Sequence, residues 1–270
     1  MDVIEFGRAL IDTGDLDPVY IGIHQARLDE PQLCRLLLAY WCFYHLGAAS
    51  YLSEFEGRDY WDFMLVAAKN DDPDMQPRIL LGNAGNRHER WPRASERRHF
   101  RGDKCVDAVA WLSHGVSAEF RVRALANECR TERDVFAALE YWPQFGPWIS
   151  FKVADMLERC YGAPIAFHED TGLMYESPRA GLALVDGGDP IATYRRLLHA
   201  FSTKGAPPQG DRPCGAQEVE TILCKYKSAS DRHYWVGKDI HEVRHGLEGW
   251  GQTADRVLSG MPPLVINGSH

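Results

Sequence analysis

Between residues 31 and 55, apolar and aromatic side chains follow one another at helical spacing: Leu33, Leu36, Leu37, Leu38, Tyr40, Trp41, Phe43, Tyr44, Leu46, Tyr51, Leu52 and Phe55. A helix that is apolar on nearly every face cannot lie on a surface, so this segment predicts a central helix buried on most sides. What must surround it is also helical. Helix-like patterns recur at 59–69, 104–114, 117–129, 131–140, 147–161, 190–202, 216–227, 239–248 and 250–259, while strand-like alternation is nearly absent. The expected class is therefore all-α. Residues 70–104 are rich in Pro, Gly, Asn and Arg with little periodicity, which marks a long basic loop. Gly- and Pro-containing stretches at 162–189 and 203–215 separate the later helices. With no repeat and no linker-like segment, residues 1–270 read as a single helical domain.

Composition narrows the function classes. A hydrophobic content of 45% and a charged content of 25% suit a folded domain and exclude a disordered tail or a disulfide mini-scaffold. The formal charge of -8 argues against a protein that coats nucleic acid nonspecifically, so any nucleic-acid contact has to be local. Seven cysteines, an odd number scattered through helical stretches, read as reduced core thiols of an intracellular protein. No CxxC pair, HExxH or tight Cys/His cluster supports a zinc site or iron–sulfur cluster, while a metal held by carboxylates stays open. The start of the chain lacks the pattern of a signal peptide, and no uncharged apolar stretch reaches about 18 residues.

The segment with the most chemistry in it is 141–162. Tyr141-Trp142-Pro143-Gln144-Phe145-Gly146 closes one helix and turns, and Pro147 opens the next at the position where its missing N–H costs nothing. Thr131, with Asp134 three residues on, has the spacing of a capping box for the first helix. The turn offers Gly146 and the free amides of a helix start, which can bind a phosphate through backbone N–H groups and the helix dipole. Beyond it come Pro164-Ile165-Ala166-Phe167 and then His168-Glu169-Asp170-Thr171.

Trp142-Pro143-Gln144-Phe145-Gly146, the small and apolar helix after it, Pro164 and Asp170-Thr171 together resemble the helix-hairpin-helix signature of the DNA glycosylase superfamily, here spanning about 131–161. That resemblance implies a hairpin that grips a DNA phosphate, with the contacts falling on Gln144, Gly146, Trp148 and Lys152, and an acid beyond it, Asp170, that faces an extruded nucleotide. Two departures bear on the chemistry: Gln144 stands where the first hairpin glycine is usual, and Trp148 stands where bifunctional glycosylases carry a lysine. The interval to Asp170 is also a few residues longer. A Schiff-base route through that lysine is therefore closed to this chain.

Further segments narrow the likeness. Asp15-Leu16-Asp17-Pro18-Val19-Tyr20, Ala39-Tyr40-Trp41-Cys42-Phe43-Tyr44-His45, Arg97-Arg98-His99-Phe100-Arg101-Gly102, Cys224-Lys225-Tyr226-Lys227 and Tyr234-Trp235-Val236-Gly237-Lys238-Asp239 resemble the phage amino acid:DNA transferases, also called alpha-glutamyl/putrescinyl thymine pyrophosphorylases. The resemblance implies thymine hypermodification in the host cytoplasm. An amine of an amino acid or polyamine displaces pyrophosphate from a pyrophosphorylated 5-hydroxymethyluracil already in the DNA. It implies DNA and a free amine as partners, a monomer, no required cofactor, and Mg²⁺ only as a companion of the pyrophosphate.

Such a reaction needs cations for the leaving group and a base for the amine. From 87 to 104 the chain has seven Lys/Arg against three acids, and Arg97, Arg98 and Arg101 are the candidates for forked phosphate contacts. A second basic group lies at 225–245, where Lys225, Lys227, Lys238 and His233 are candidates, with plain solvation the competing reading. Asp239 has the look of an N-cap for the helix that follows. For proton transfer the candidate is Asp170 with Glu169 and His168, against the alternative that Asp170-Thr171 only caps the next helix. Two other functions stay open on the sequence: a monofunctional DNA glycosylase using Asp170, and a non-catalytic helix-hairpin-helix DNA-binding protein.

Overall fold

The computed structural model describes residues 1–69, 91, 97, 100–185 and 188–265. Among them the regular structure is helical and no strand occurs, as the periodicity requires. The chain divides into two compact units, each assembled from separate stretches, where the sequence reads as one domain. One comprises 23–165 and 244–260; the other comprises 1–22, 166–243 and 261–270. No helix among the described residues is long and apolar enough to cross a membrane.

In the unit of 23–165 and 244–260, α3 (Glu30–Phe43) is the buried centre. Every residue from Cys34 to Phe43 is buried, so the all-round apolar pattern becomes all-round contact. Asp29 caps its start by accepting from the Gln32 amide, and Pro31 sits in its first turn. The expected helix over 31–55 is in fact two. Tyr44 turns into the left-handed region at φ 52°, and the His45 ring accepts from the Ala48 amide to cap α4 (Leu46–Ser53). Arg35, buried within α3, is held by the Ser53 carbonyl at 3.0 Å and by Glu119 at 2.7 Å. The surrounding helices are α5 (Gly57–Lys69), α6 (Asp103–Ser113) and α7 (Ala118–Glu128). Then come α8 (Glu132–Leu139) and α9 (Pro147–Met156), the latter prolonged by a π turn over Leu157–Tyr161.

In the other unit, the core joins Val3, Phe6 and Leu10 of α1 (Val3–Thr13) to Leu182, Leu197, Phe201, Val219, Ile222 and Leu223. These come from α10 (Glu176–Ala183), α11 (Pro190–Phe201) and α12 (Ala216–Ser230). Helix α12 is central: its first eight residues are all buried, including the polar Gln217, Glu218, Glu220 and Thr221. The chain passes from one unit to the other within α2 (Pro18–Ala26) and α13 (Lys238–Leu247), and α14 (Gln252–Gly260) completes the first. All seven cysteines are free thiols, and six are buried.

Candidate functional site

The hairpin region consists of α8, a turn, and α9. Thr131 and Asp134 form the reciprocal capping box: Thr131 Oγ1 accepts from the Asp134 amide, and Asp134 accepts from the Thr131 and Arg130 amides at 2.8 and 2.9 Å. Those amide bonds hold the Asp134 carboxyl below its ordinary range. In the turn Gln144 has φ 66°, the left-handed conformation for which glycine is the usual residue. Gly146 is the N-cap of α9 and makes no side-chain cap bond; a Cβ there would meet nothing within 4 Å, so this helix start faces open space. Gln144 and Gly146 are exposed. Trp148, half-buried, packs edge-on against Tyr44 at 4.9 Å, and the Lys152 ammonium lies 4.9 Å from the Phe151 ring.

Arg97 is what holds this turn. Its Nε donates to the Cys42 carbonyl at 3.1 Å and its Nη1 to the Gln144 carbonyl at 2.9 Å. The guanidinium lies 4.4 Å over Phe100 and 5.4 Å from the Phe145 ring. The residue is 2% exposed, and burial pushes its pKa down. The planar fork thus joins the end of α3 to the unusual residue of the hairpin, a geometry an ammonium could not copy. In the sequence reading Arg97 binds the leaving group; the structure places it inside the protein, against backbone. Arg101 is half-buried before α6, and Arg98 lies outside the described residues, as does most of the basic loop.

In the other unit, His168, Glu169 and Asp170 stand exposed at the start of a 3₁₀ turn, Glu169–Leu173, whose Thr171 and Gly172 are buried. The bend is closed by the Thr171 amide donating to the His168 carbonyl at 3.1 Å. The N-cap of the next helix, α10, is Tyr175, with no side-chain cap bond. Under the turn lies Tyr194 of α11: a Cβ on Gly172 would come within 2.1 Å of the Tyr194 hydroxyl oxygen and 3.0 Å of the Ala216 carbonyl oxygen. Glycine is therefore required for this close approach.

The second basic group is tied to carboxylates of its own unit. Lys225, with its side chain 11% exposed, pairs with Asp239 at 2.7 Å, donates to the Asp15 carbonyl and lies over the Tyr234 ring. Lys227 pairs with Asp231 and Lys238 with Glu242, both at 2.8 Å and one helical turn apart. His233 is exposed, its backbone amide bonded to the Ser228 carbonyl. Asp239 does not cap α13. That work falls to Asp15, fully buried, which accepts from the Ile240 amide at 3.0 Å, the Gly237 amide at 2.6 Å and the Tyr234 hydroxyl at 2.7 Å. Burial raises the Asp15 pKa, and Lys225 and these three donors oppose the rise. Sequence reasoning missed this network because its partners are more than 200 residues apart, although the two segments it joins, 15–20 and 234–239, had been singled out for their residues.

An exposed helix start behind a fixed turn, and an exposed acidic turn, are what an enzyme acting on DNA would present. The model of the amino acid:DNA transferase family matches residues 11–234, and the chain belongs to that family. It is similar to a glycinyltransferase of Pseudomonas phage PaMx11, with 36% identity covering 98% of this chain and 97% of the relative. It is also similar to a putrescinyltransferase of Delftia phage PhiW-14, with 27% identity covering 97% and 83%. The protein is accordingly a transferase acting on DNA.

Proposed function

We propose that the protein attaches glycine or a similar small amine to thymine-type bases of phage DNA, using a base that carries a 5-methylene pyrophosphate. The full-length likeness to a glycinyltransferase carries this reading. The exposed Asp170, which is not the N-cap residue of α10, supplies its base. An α-amine with a pKa of about 8 is mostly protonated at neutral pH. One N–H proton of the ammonium passes to Asp170, and the nitrogen lone pair forms the C–N bond to the methylene. The C–O bond breaks with its electron pair leaving on pyrophosphate, and the secondary ammonium product gives up its extra proton to solvent.

The fold that supports this is read as glycosylase-like, with the amides at the start of α9 on a DNA phosphate and the base extruded from the duplex at a cost of a few kcal/mol. The described cations nearest to solvent in the candidate groups, Arg101, Lys227 and Lys238, would meet phosphate oxygens. No resident cofactor enters the scheme, and magnesium arrives, where it is used, with the pyrophosphate. The protein is taken to act as a monomer in the host cytoplasm. The test is mass spectrometry of DNA containing pyrophosphorylated hydroxymethyluracil after incubation with the protein and a panel of amines. A base heavier by the amine, with pyrophosphate released, is the expected result; abasic sites in its place would make the protein a glycosylase and overturn the reading.

A further inference from the structure

We infer that Trp111 and Arg121, on α6 and α7 beside the hairpin, form a stacking platform for an unpaired base of the DNA strand held at the start of α9, with the free edge of Arg121 on a backbone phosphate. The partner follows from the protein's action on DNA, and the position along the strand rests on the reading of the hairpin under Proposed function.

Trp111 lies off the buried face of α6, which is Cys105, Ala108, Val109 and Leu112, and it is 38% exposed. A single exposed ring is ordinary on a protein surface. This one is fixed in place. The Arg121 guanidinium lies 4.5 Å over it, and the ring packs against Trp142 of the hairpin at 6.2 Å. The guanidinium is itself pinned, with Nε donating to the Leu112 carbonyl at 2.9 Å and Nη2 to the Trp111 carbonyl at 3.0 Å. It holds one side of the ring and leaves the exposed part to a partner.

The structural work of Arg121 accounts for two of its three nitrogens. The carbonyls of Trp111 and Leu112 stand at the end of α6, where the helix dipole favours a cation. The remaining nitrogen, Nη1, makes no hydrogen bond among the described residues and is not sealed from solvent. No carboxylate among the described residues pairs with Arg121, whereas Arg123, two positions on in the same helix, is bound to Glu30. Burial pushes the Arg121 pKa down, with no acid to oppose it. In a chain of net charge -8, a cation fixed at the surface without an acid is matched to a partner that brings the negative charge. A nucleotide brings both a phosphate for the guanidinium and a π face for the ring.

The platform is also continuous with the hairpin. Trp142 packs on Phe145 at 5.2 Å, and the next residue, Gly146, is the N-cap of α9. Two ring contacts therefore separate Trp111 from the residue before the helix start. A strand that advances about 3.4 Å per nucleotide covers such a span in a few nucleotides. Extruding one nucleotide leaves its neighbours short of a stacking partner, and an aromatic side chain replaces that partner without regard to sequence. The hairpin then contributes amides, and the adjoining pair contributes a ring and a charge.

The test measures DNA binding apart from transfer. The whole protein is titrated, over a range of salt, with two labelled single strands of equal length: oligothymidylate, and the same backbone carrying abasic tetrahydrofuran units. The native protein should bind the strand with bases more tightly. Trp111→Ala should weaken oligothymidylate binding about tenfold and leave the abasic strand within about twofold, while Trp111→Phe should restore most of the loss. Arg121→Gln should weaken both strands alike and lower the salt slope by about one. Thermal melting of each variant identifies a loss of fold, and Trp111→Phe, which keeps a ring, retains the comparison if Trp111→Ala does not fold. Native affinity for oligothymidylate in Trp111→Ala, or a native protein that does not prefer the strand with bases, would overturn the platform and leave the exposed ring to packing or to a protein partner. Weakened binding by Trp111→Ala, in a protein whose native form transfers no amine, would uphold the platform and overturn the reaction. Transfer that proceeds while both Trp111 and Arg121 variants bind DNA as the native protein does would uphold the reaction and overturn the platform.

Discussion

At the hairpin, Arg97 is folded inward onto two backbone carbonyls and between two aromatic rings, and the surface left to the partner is the bare start of α9. At residues 168–170 the ionisable groups face out, on a turn whose Gly172 lies against the Tyr194 hydroxyl. On the proposed function, one region keeps its side chains for structure and works through peptide groups, and the other works through side chains. The difference explains why Gln144 can stand where glycine is usual. Its side chain is not what the hairpin offers, and the strain of its backbone is countered by the bond from Arg97 to its carbonyl. No such tolerance is expected at Asp170, to which the proposed function gives the role of base.

The largest effect should be at that acid. Asp170→Asn is expected to lower turnover by about 10²-fold or more, the scale of general base catalysis, with DNA affinity unchanged. An Asn variant that still transfers amines at the native rate would erase the contrast between the two regions. Next comes Arg97→Ala, which leaves the Cys42 and Gln144 carbonyls without their donor and opens a cavity between Phe100 and Phe145. A loss of about 2–4 kcal/mol in urea unfolding is expected, together with weaker DNA binding. Weakened turnover in a fully stable Arg97→Ala protein would instead return this residue to the leaving group.

A smaller effect, and of opposite sign, belongs to Gln144→Gly. Relieving a left-handed non-glycine residue should stabilise the protein by up to about 1 kcal/mol and leave DNA affinity as it is. If affinity drops, the glutamine amide is itself a DNA contact. The smallest is at Glu30, in the same unit as the hairpin. Its carboxylate accepts from Arg123 Nε at 2.6 Å and from Tyr161 at 2.7 Å, and the Arg123 bond holds its pKa down at about 2. A depressed carboxylate stabilises above its ordinary value of 4.5, and that contribution is lost as pH falls toward 2. Glu30→Gln should flatten stability over that interval without altering amine transfer at neutral pH. An unaltered acid profile would mean that the pair is too well solvated to count.

How much could be read in advance follows the sequence distance of the contacts. The helical class, the Thr131–Asp134 box and the start of α9 at Pro147 depend on neighbours within a turn, and they show in the sequence. The stretch 162–189 did not read as helical because Pro178 and Gly181 look like breakers. In α10 Pro178 falls in the first turn, and Gly181 lies where a Cβ would come within 2.1 Å of the Leu223 carbonyl oxygen. That glycine serves close packing of two helices, which no local pattern reveals. At the site the same limit applies. The exposed triplet 168–170 was legible as chemistry, whereas Arg97 reaches partners 55 and 47 residues away. The ion pairs of Lys225, Lys227 and Lys238 depend on which carboxylates the fold brings to them.

The layout of the core around α12 also sets an order of events during synthesis. Apart from Leu16, the core residues that Val3, Phe6 and Leu10 join lie after 166, whereas most of the other unit is one continuous run from 23 to 165. At a ribosomal rate of about 5–20 residues per second, the apolar face of α1 waits on the order of ten seconds for most of its core. The nascent chain is therefore exposed to chaperones and proteases at α1 for longer than at α3, and the unit carrying the acidic turn closes after the run 23–165 has been made.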